Sequence, residues 1–233
     1  VEQEVEGRIE IQFYKDIYTF EDWQTIDSTI PQNYRIMNDI DFSGRANINA
    51  NITVLRLEGA NENITLKNID LSNTGMPLIE AVNISIKNIN FDNIKIETNE
   101  TISNVGIIAM LRGTLDKVNF NEVDIIANNA TNVGCIGYTI GVSQNVILSD
   151  VNVSGKTQVG GLVGYGYADI QYIQGNNLTV TGTSNYVAGI VGYTQEDVLY
   201  VEVSDVEISG NNYIGGILGC LSLSGGAKYS HDL

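Results

Sequence analysis

The sequence predicts an all-β chain folded as a right-handed parallel β-helix, a solenoid, with a short N-terminal helical cap. Three observations predict it. A glycine phrase is written three times at near-constant spacing, as "VGGLVGY", "VAGIVGY" and "IGGILGC". A strictly alternating phrase recurs between the copies, as in "KNINF", "DKVNF" and "SDVNV". The 233 residues hold only two prolines, which fits long uninterrupted ladders of backbone hydrogen bonds.

The cap is expected over residues 1–43. In "YTFEDWQ", Thr19 suits the N-cap of a short helix and Asp22, three places on, suits the reciprocal capping-box position. Phe20, Trp23 and Ile26 then share one helical face, suited to plugging the first coil. The stretch "NYRIMNDIDFSG" reads as a strand and a turn leading into that coil.

Residues 44–233 are expected to form about seven coils. The small residue before the aromatic of the glycine phrase can be followed backwards as Gly219, Gly192, Gly164, Gly137, Ala109 and Ala81, in steps of 27 or 28. Such a period is too short for a repeat with a helix and several strands. It fits one coil of three short strands and three turns, stacked about 4.8 Å from the next. The next column is Val82, Met110, Tyr138, Tyr165, Tyr193 and Cys220. Its tyrosines are expected to stack as a ladder, with an exposed ligand platform as the alternative.

The alternating phrase places Ile69/Leu71, Ile89/Phe91, Val118/Phe120, Val151/Val153, Leu178/Val180 and Val206/Ile208 on a buried face, with polar residues between them. Its steps are 20, 29, 33, 27 and 28, which implies an irregular first turn and an insertion near "TIGVSQ". A strand glycine costs about 0.5–1 kcal/mol. Burying a Val, Leu or Ile returns about 1.5–3 kcal/mol, so burial outweighs the glycines. Cys135 and Cys220 lie three coils apart, about 14 Å along the axis. That exceeds the reach of a disulfide, so two free thiols are expected.

Composition narrows the function classes. A formal charge of −16 argues against nucleic acid and against anionic membranes. The longest apolar runs are four or five residues, too short for a membrane helix. The opening "VEQEVEGRIE" lacks the features of a signal peptide and reads as the interior of a longer chain. The end, "GGAKYSHDL", follows a repeat phrase without a cap and reads as a truncation.

Catalytic chemistry finds few candidates. His231 is the single histidine, so neither a zinc-protease pair of histidines nor a nucleophilic triad is expected, and "SHD" at Ser230 to Asp232 is a neighbour set in sequence alone. Outward acids such as Asp70, Asp150, Asp205 and Glu207 raise a glycosidase or lyase alternative. Asp150 and Asp205 occupy matching positions two coils apart, with Asn177 between them, which overlaps the carboxylate separation of inverting hydrolases. Asp and Asn are also what turns require. No cluster of tryptophans is present to grip sugar, since Trp23 is the single one. Asp39 and Asp41 of "NDIDFSG" raise calcium, but six to eight oxygens are not evident. No catalytic residue, cofactor or metal is therefore expected.

The glycine phrases resemble the GLUG repeat of bacterial surface proteins. The stretch "IYTFEDWQTIDSTIPQNYRIMNDIDFSG" resembles a module that precedes such repeats in the immunoglobulin A-cleaving zinc metallopeptidases of streptococci and in other cell-wall proteins. Together the two cover about Ile17 to Cys220. The resemblance implies a secreted or wall-attached protein of a Gram-positive bacterium, with any peptidase chemistry elsewhere in the parent. On this reading the chain is a monomeric, non-catalytic scaffold or recognition domain whose partner is a protein or a cell-surface glycan.

Overall fold

The computed structural model describes residues 13–62 and 64–222. The chain winds as a parallel β-solenoid of about six turns, one fewer than the repeat count implies, with almost no helix. All its strands join in one sheet of parallel pairings, each coil bonded to the coils before and after it. Glycine and alternating phrases belong to different parts of one coil. A four-residue strand such as Val163–Gly166 carries the end of the glycine phrase, and a long bent run such as Ser143–Gly160 carries its start and the rest of the coil.

Bends in the long runs come from residues held at positive φ, in three vertical files. The first is Asn68, Asn93, Glu122, Asp150, Asn177 and Asp205; the second is Asn88, Lys117, Asn145, Tyr172 and Tyr200; the third is Asn104, Asn132, Gln158, Tyr186 and Tyr213. Asparagine enters this region at least strain among side chains other than glycine, which explains why Asn recurs at the bends. The files are also cross-linked. Asn93 Nδ2 donates to Asn68 Oδ1 at 2.7 Å, and Asn132 Nδ2 to Asn104 Oδ1 at 2.7 Å.

The small column holds from Ala109 onward. Ile108, Ile136, Val163, Val191 and Leu218 pair in sequence, and Met110, Tyr138, Tyr165, Tyr193 and Cys220 do so two places later. Ala81 does not belong to that column. Ile79 pairs with Ile108 and Ala81 with Met110, so the step is 29 and Glu80 occupies the place opposite Ala109. A step of 28 would have stacked Glu80 on Ile108. The observed register buries Ile79 completely and leaves Glu80 exposed, which is the choice that a period-two strand with one wet face enforces.

The alternating phrase splits into two columns. Ile64, Ile89, Val118, Val146, Ile173 and Val201 form one, and Ile69, Ile94, Val123, Val151, Leu178 and Val206 form the other, both in steps of 25, 29, 28, 27 and 28. The two lie five residues apart, on either side of the first file of bends. Reading across that bend changes a step of 25 into 20 and a step of 28 into 33. There is accordingly no insertion near "TIGVSQ".

The core is one continuous apolar column from Ile17 to Val191. Inside it Phe91 and Phe120 stack with centroids 5.4 Å apart. Near the N-terminus Thr19 and Asp22 form the expected capping box on the helix Phe20–Trp23. Trp23 is fully buried, meets Phe42 edge-on at 5.6 Å and donates its indole N–H to the Asn49 carbonyl at 2.8 Å. The strands Lys15–Ile17, Asn33–Ile36 and Ile40–Asp41 pair in parallel with one another or with the next coils.

Candidate functional site

Of the acids singled out by sequence, Asp150 and Asp205 stand at bends. Asp150, Asn177 and Asp205 do stand in one file, each at φ of 51–54°. Asn177 lies between the two carboxylates and donates its amide to Asp150. Asp70 accepts the Ser72 backbone N–H at 2.9 Å and its hydroxyl at 2.6 Å. These bonds, the hydroxyl foremost, hold its carboxyl below the usual range. Glu207 is exposed in the file that holds Asp124, Asn152 and Thr179. No pair of these acids is brought together across a cleft.

Asp39 and Asp41 are likewise occupied by the protein. Asp39 Oδ1 accepts the Thr65 backbone N–H at 2.8 Å. Asp41 Oδ1 accepts the Asn68 amide at 2.8 Å and the Ser43 backbone N–H at 2.9 Å. The Asn68 bond is the largest cause of a carboxyl lowered to about 2. Among the described residues no three His, Cys, Asp or Glu side chains converge as metal ligands. Ser230, His231 and Asp232 lie outside the described residues.

Both cysteines are free thiols, with Cys135 fully buried and Cys220 partly so. Burial pushes both thiols up from their ordinary range, away from the reactive thiolate.

The expected tyrosine ladder is present, and it is larger than the column alone. Tyr138 and Tyr165 stack at 5.8 Å, and Tyr165 and Tyr193 at 4.7 Å. Tyr167 closes on the side, accepting a hydrogen bond from the Tyr165 hydroxyl at 2.9 Å. Tyr186 meets Tyr193 edge-on at 5.4 Å and stacks on Tyr213 at 5.0 Å. Desolvation raises the Tyr138 and Tyr165 hydroxyls above their usual range. In this strip the ring faces of the column are spent on one another.

A second aromatic feature escaped the sequence reading. Tyr172 and Tyr200 stack nearly parallel, with a 5° interplanar angle and centroids 4.8 Å apart, and are 51% and 64% exposed. They sit on an outward face with three rows: Asn145 and Ile147, then Tyr172 and Gln174, then Tyr200 and Glu202. All six side chains are exposed. The rows are fixed by the pairing of Ile147 with Gln174 and of Gln174 with Glu202. An open hollow runs along this patch and on to half-buried Val198 and Ile217. A neighbouring hollow continues it past Ser149, Asn176 and Ser204. The signal was available as the 28-residue step from Tyr172 to Tyr200. It was hidden because the earlier members of that file are Asn and Lys, not aromatic.

Comparison with protein-family models, with curated proteins and with solved structures finds no match to this chain.

Proposed function

We propose that this chain is a non-catalytic scaffold and recognition domain of a secreted or cell-wall-attached bacterial protein. It would space or present a neighbouring domain, catalytic or adhesive, and bind a protein or a cell-surface glycan through its outer faces. The reading rests first on the use of the acidic side chains. The carboxylates that could have formed a catalytic pair are engaged in bends and ladders, with Asn177 bonded to Asp150 between them. Tyr167, Tyr172, Tyr200 and Tyr213, by contrast, are exposed on outward faces. A solenoid held by ladders between successive coils suits a stiff spacer. The resemblance of the glycine phrases to the GLUG repeat, and of the N-terminal stretch to the module found in immunoglobulin A-cleaving metallopeptidases, supports an exported setting. It also supports a cap role for the N-terminal helix.

The rival reading is a carbohydrate-active solenoid working through Asp150 and Asp205, favoured by their shared file. Incubation with a panel of polysaccharides decides between them. The scaffold reading expects no release of reducing ends, from the native chain or from Asp150→Asn/Asp205→Asn. Reproducible release that disappears in the double variant establishes the rival and removes the scaffold reading.

A further inference from the structure

We propose that the face built on Tyr172, Tyr200 and Glu202 docks an arginine side chain of a basic protein partner. This deepens the recognition reading and rests on it.

The first observation is backbone strain at two rings that pack on each other and not into the core. Tyr172 and Tyr200 hold φ of 56° and 53°. The same file carries Asn88, Lys117 and Asn145 in earlier coils, and asparagine, which fills two of these places, tolerates the left-handed region best. Bulky side chains there are outliers. These two rings do not earn their place by filling the core, since half or more of each is open to solvent. Strain kept at an exposed aromatic pair marks a surface used for something other than stability.

Charge supplies the second observation. Residues 118–222 contain nine acids and one base, Lys156. Glu202 lies on the same face, two places after Tyr200, and Asp150 and Asp205 stand at the bend beyond. A neutral sugar could use the rings but gains nothing from this excess of negative charge. A second copy of the chain brings the same charge and is repelled. A guanidinium uses both features at once, because it is planar, stacks on aromatic faces and donates a pair of hydrogen bonds to a carboxylate. Ile147, exposed on the adjacent row, can cover the methylene stem of the same arginine.

The test uses labelled hexa-arginine and hexa-lysine peptides against the whole chain, at about 0.15 M salt, where long-range attraction is screened. The arginine peptide should bind more tightly than the lysine peptide. Tyr172→Asn/Tyr200→Asn, which restores the asparagine already found in this file, should weaken arginine binding about tenfold, the loss expected of two exposed cation–π contacts. Lysine binding should change less. Glu202→Gln, at an exposed position, should also weaken arginine binding, and circular dichroism checks that each variant keeps the fold. Equal affinity for the two peptides overturns the inference. So does arginine binding that survives in the folded tyrosine double variant, or in the Glu202 variant if the double variant fails to fold. Retention of a glycan from the polysaccharide panel without turnover, together with no preference for arginine, would overturn this inference and leave the recognition reading standing.

Discussion

At the scale of single residues, the glycine phrase is explained by contact distances and not by flexibility. A Cβ at Gly164 would lie 2.4 Å from the backbone carbonyl carbon of Asn132 and the nitrogen of Val133. One at Gly161 would lie 2.2 Å from the Gly189 carbonyl oxygen of the next coil. Gly161 therefore makes room for the coil above. Gly164 lets the short strand rest on the peptide that follows the bend at Asn132. Neither contact can yield cheaply, since the opposing atoms are backbone. We expect Gly164→Ala to lower stability by about 1–3 kcal/mol through overpacking, read as a fall of several degrees in the thermal midpoint. An unchanged midpoint contradicts the close approach. The need for small residues was legible in the sequence, because five small residues recur at one place from Ala109 to Gly219. Their cause was not, because a backbone neighbour some thirty residues away leaves no mark in composition.

At the scale of the element, the bends show what a period-two reading misses. Apolar alternation correctly marked buried strands, but it is identical on both sides of a one-residue left-handed bend. Ile89/Phe91 and Ile94/Ile96 therefore look alike in sequence while lying in different columns. The signal that separates them is the asparagine or acid between, as at Asn93 and Asp150, which propensity assigns to turns without saying how sharp. The same bends bear the ladders that tie coils together. Asp41 accepts from Asn68, and Asn68 in turn accepts from Asn93. The Asn68 amide, aided by Ser43, lowers the Asp41 carboxyl to about 2. Because this folded value lies below the unfolded one, the contribution of Asp41 is complete above about pH 4. It is lost as the pH falls through about 2. Thermal midpoints of the native chain and of Asp41→Asn should therefore differ by a constant amount above pH 4 and converge as the pH approaches 2. A gap that persists undiminished in acid would show that the carboxylate charge is not what Asn68 recognises.

At the scale of the whole molecule, a solenoid has no centre that every residue touches, so stability varies along its axis. Central coils are sheathed on both sides: the runs Thr114–Val133 and Ser143–Gly160 bury their inward side chains almost completely. In the run Val198–Ser209 the inward residues Val201, Val203, Val206 and Ile208 are only half-buried, although their alternation matches that of the coils before. The sequence could not distinguish these coils, since each writes the same alternation. Local opening is easiest where few apolar contacts must break. Hydrogen exchange should thus be slowest for amides of residues 114–133 and 143–160, and faster by at least tenfold over 198–221, a difference of about 1.4 kcal/mol in opening free energy. Uniform protection along the axis would mean that the coils open as one cooperative unit. That result would require coupling between coils far stronger than the nearest-neighbour ladders supply. A gradient running the other way, with 198–221 the best protected, would contradict the burial pattern itself.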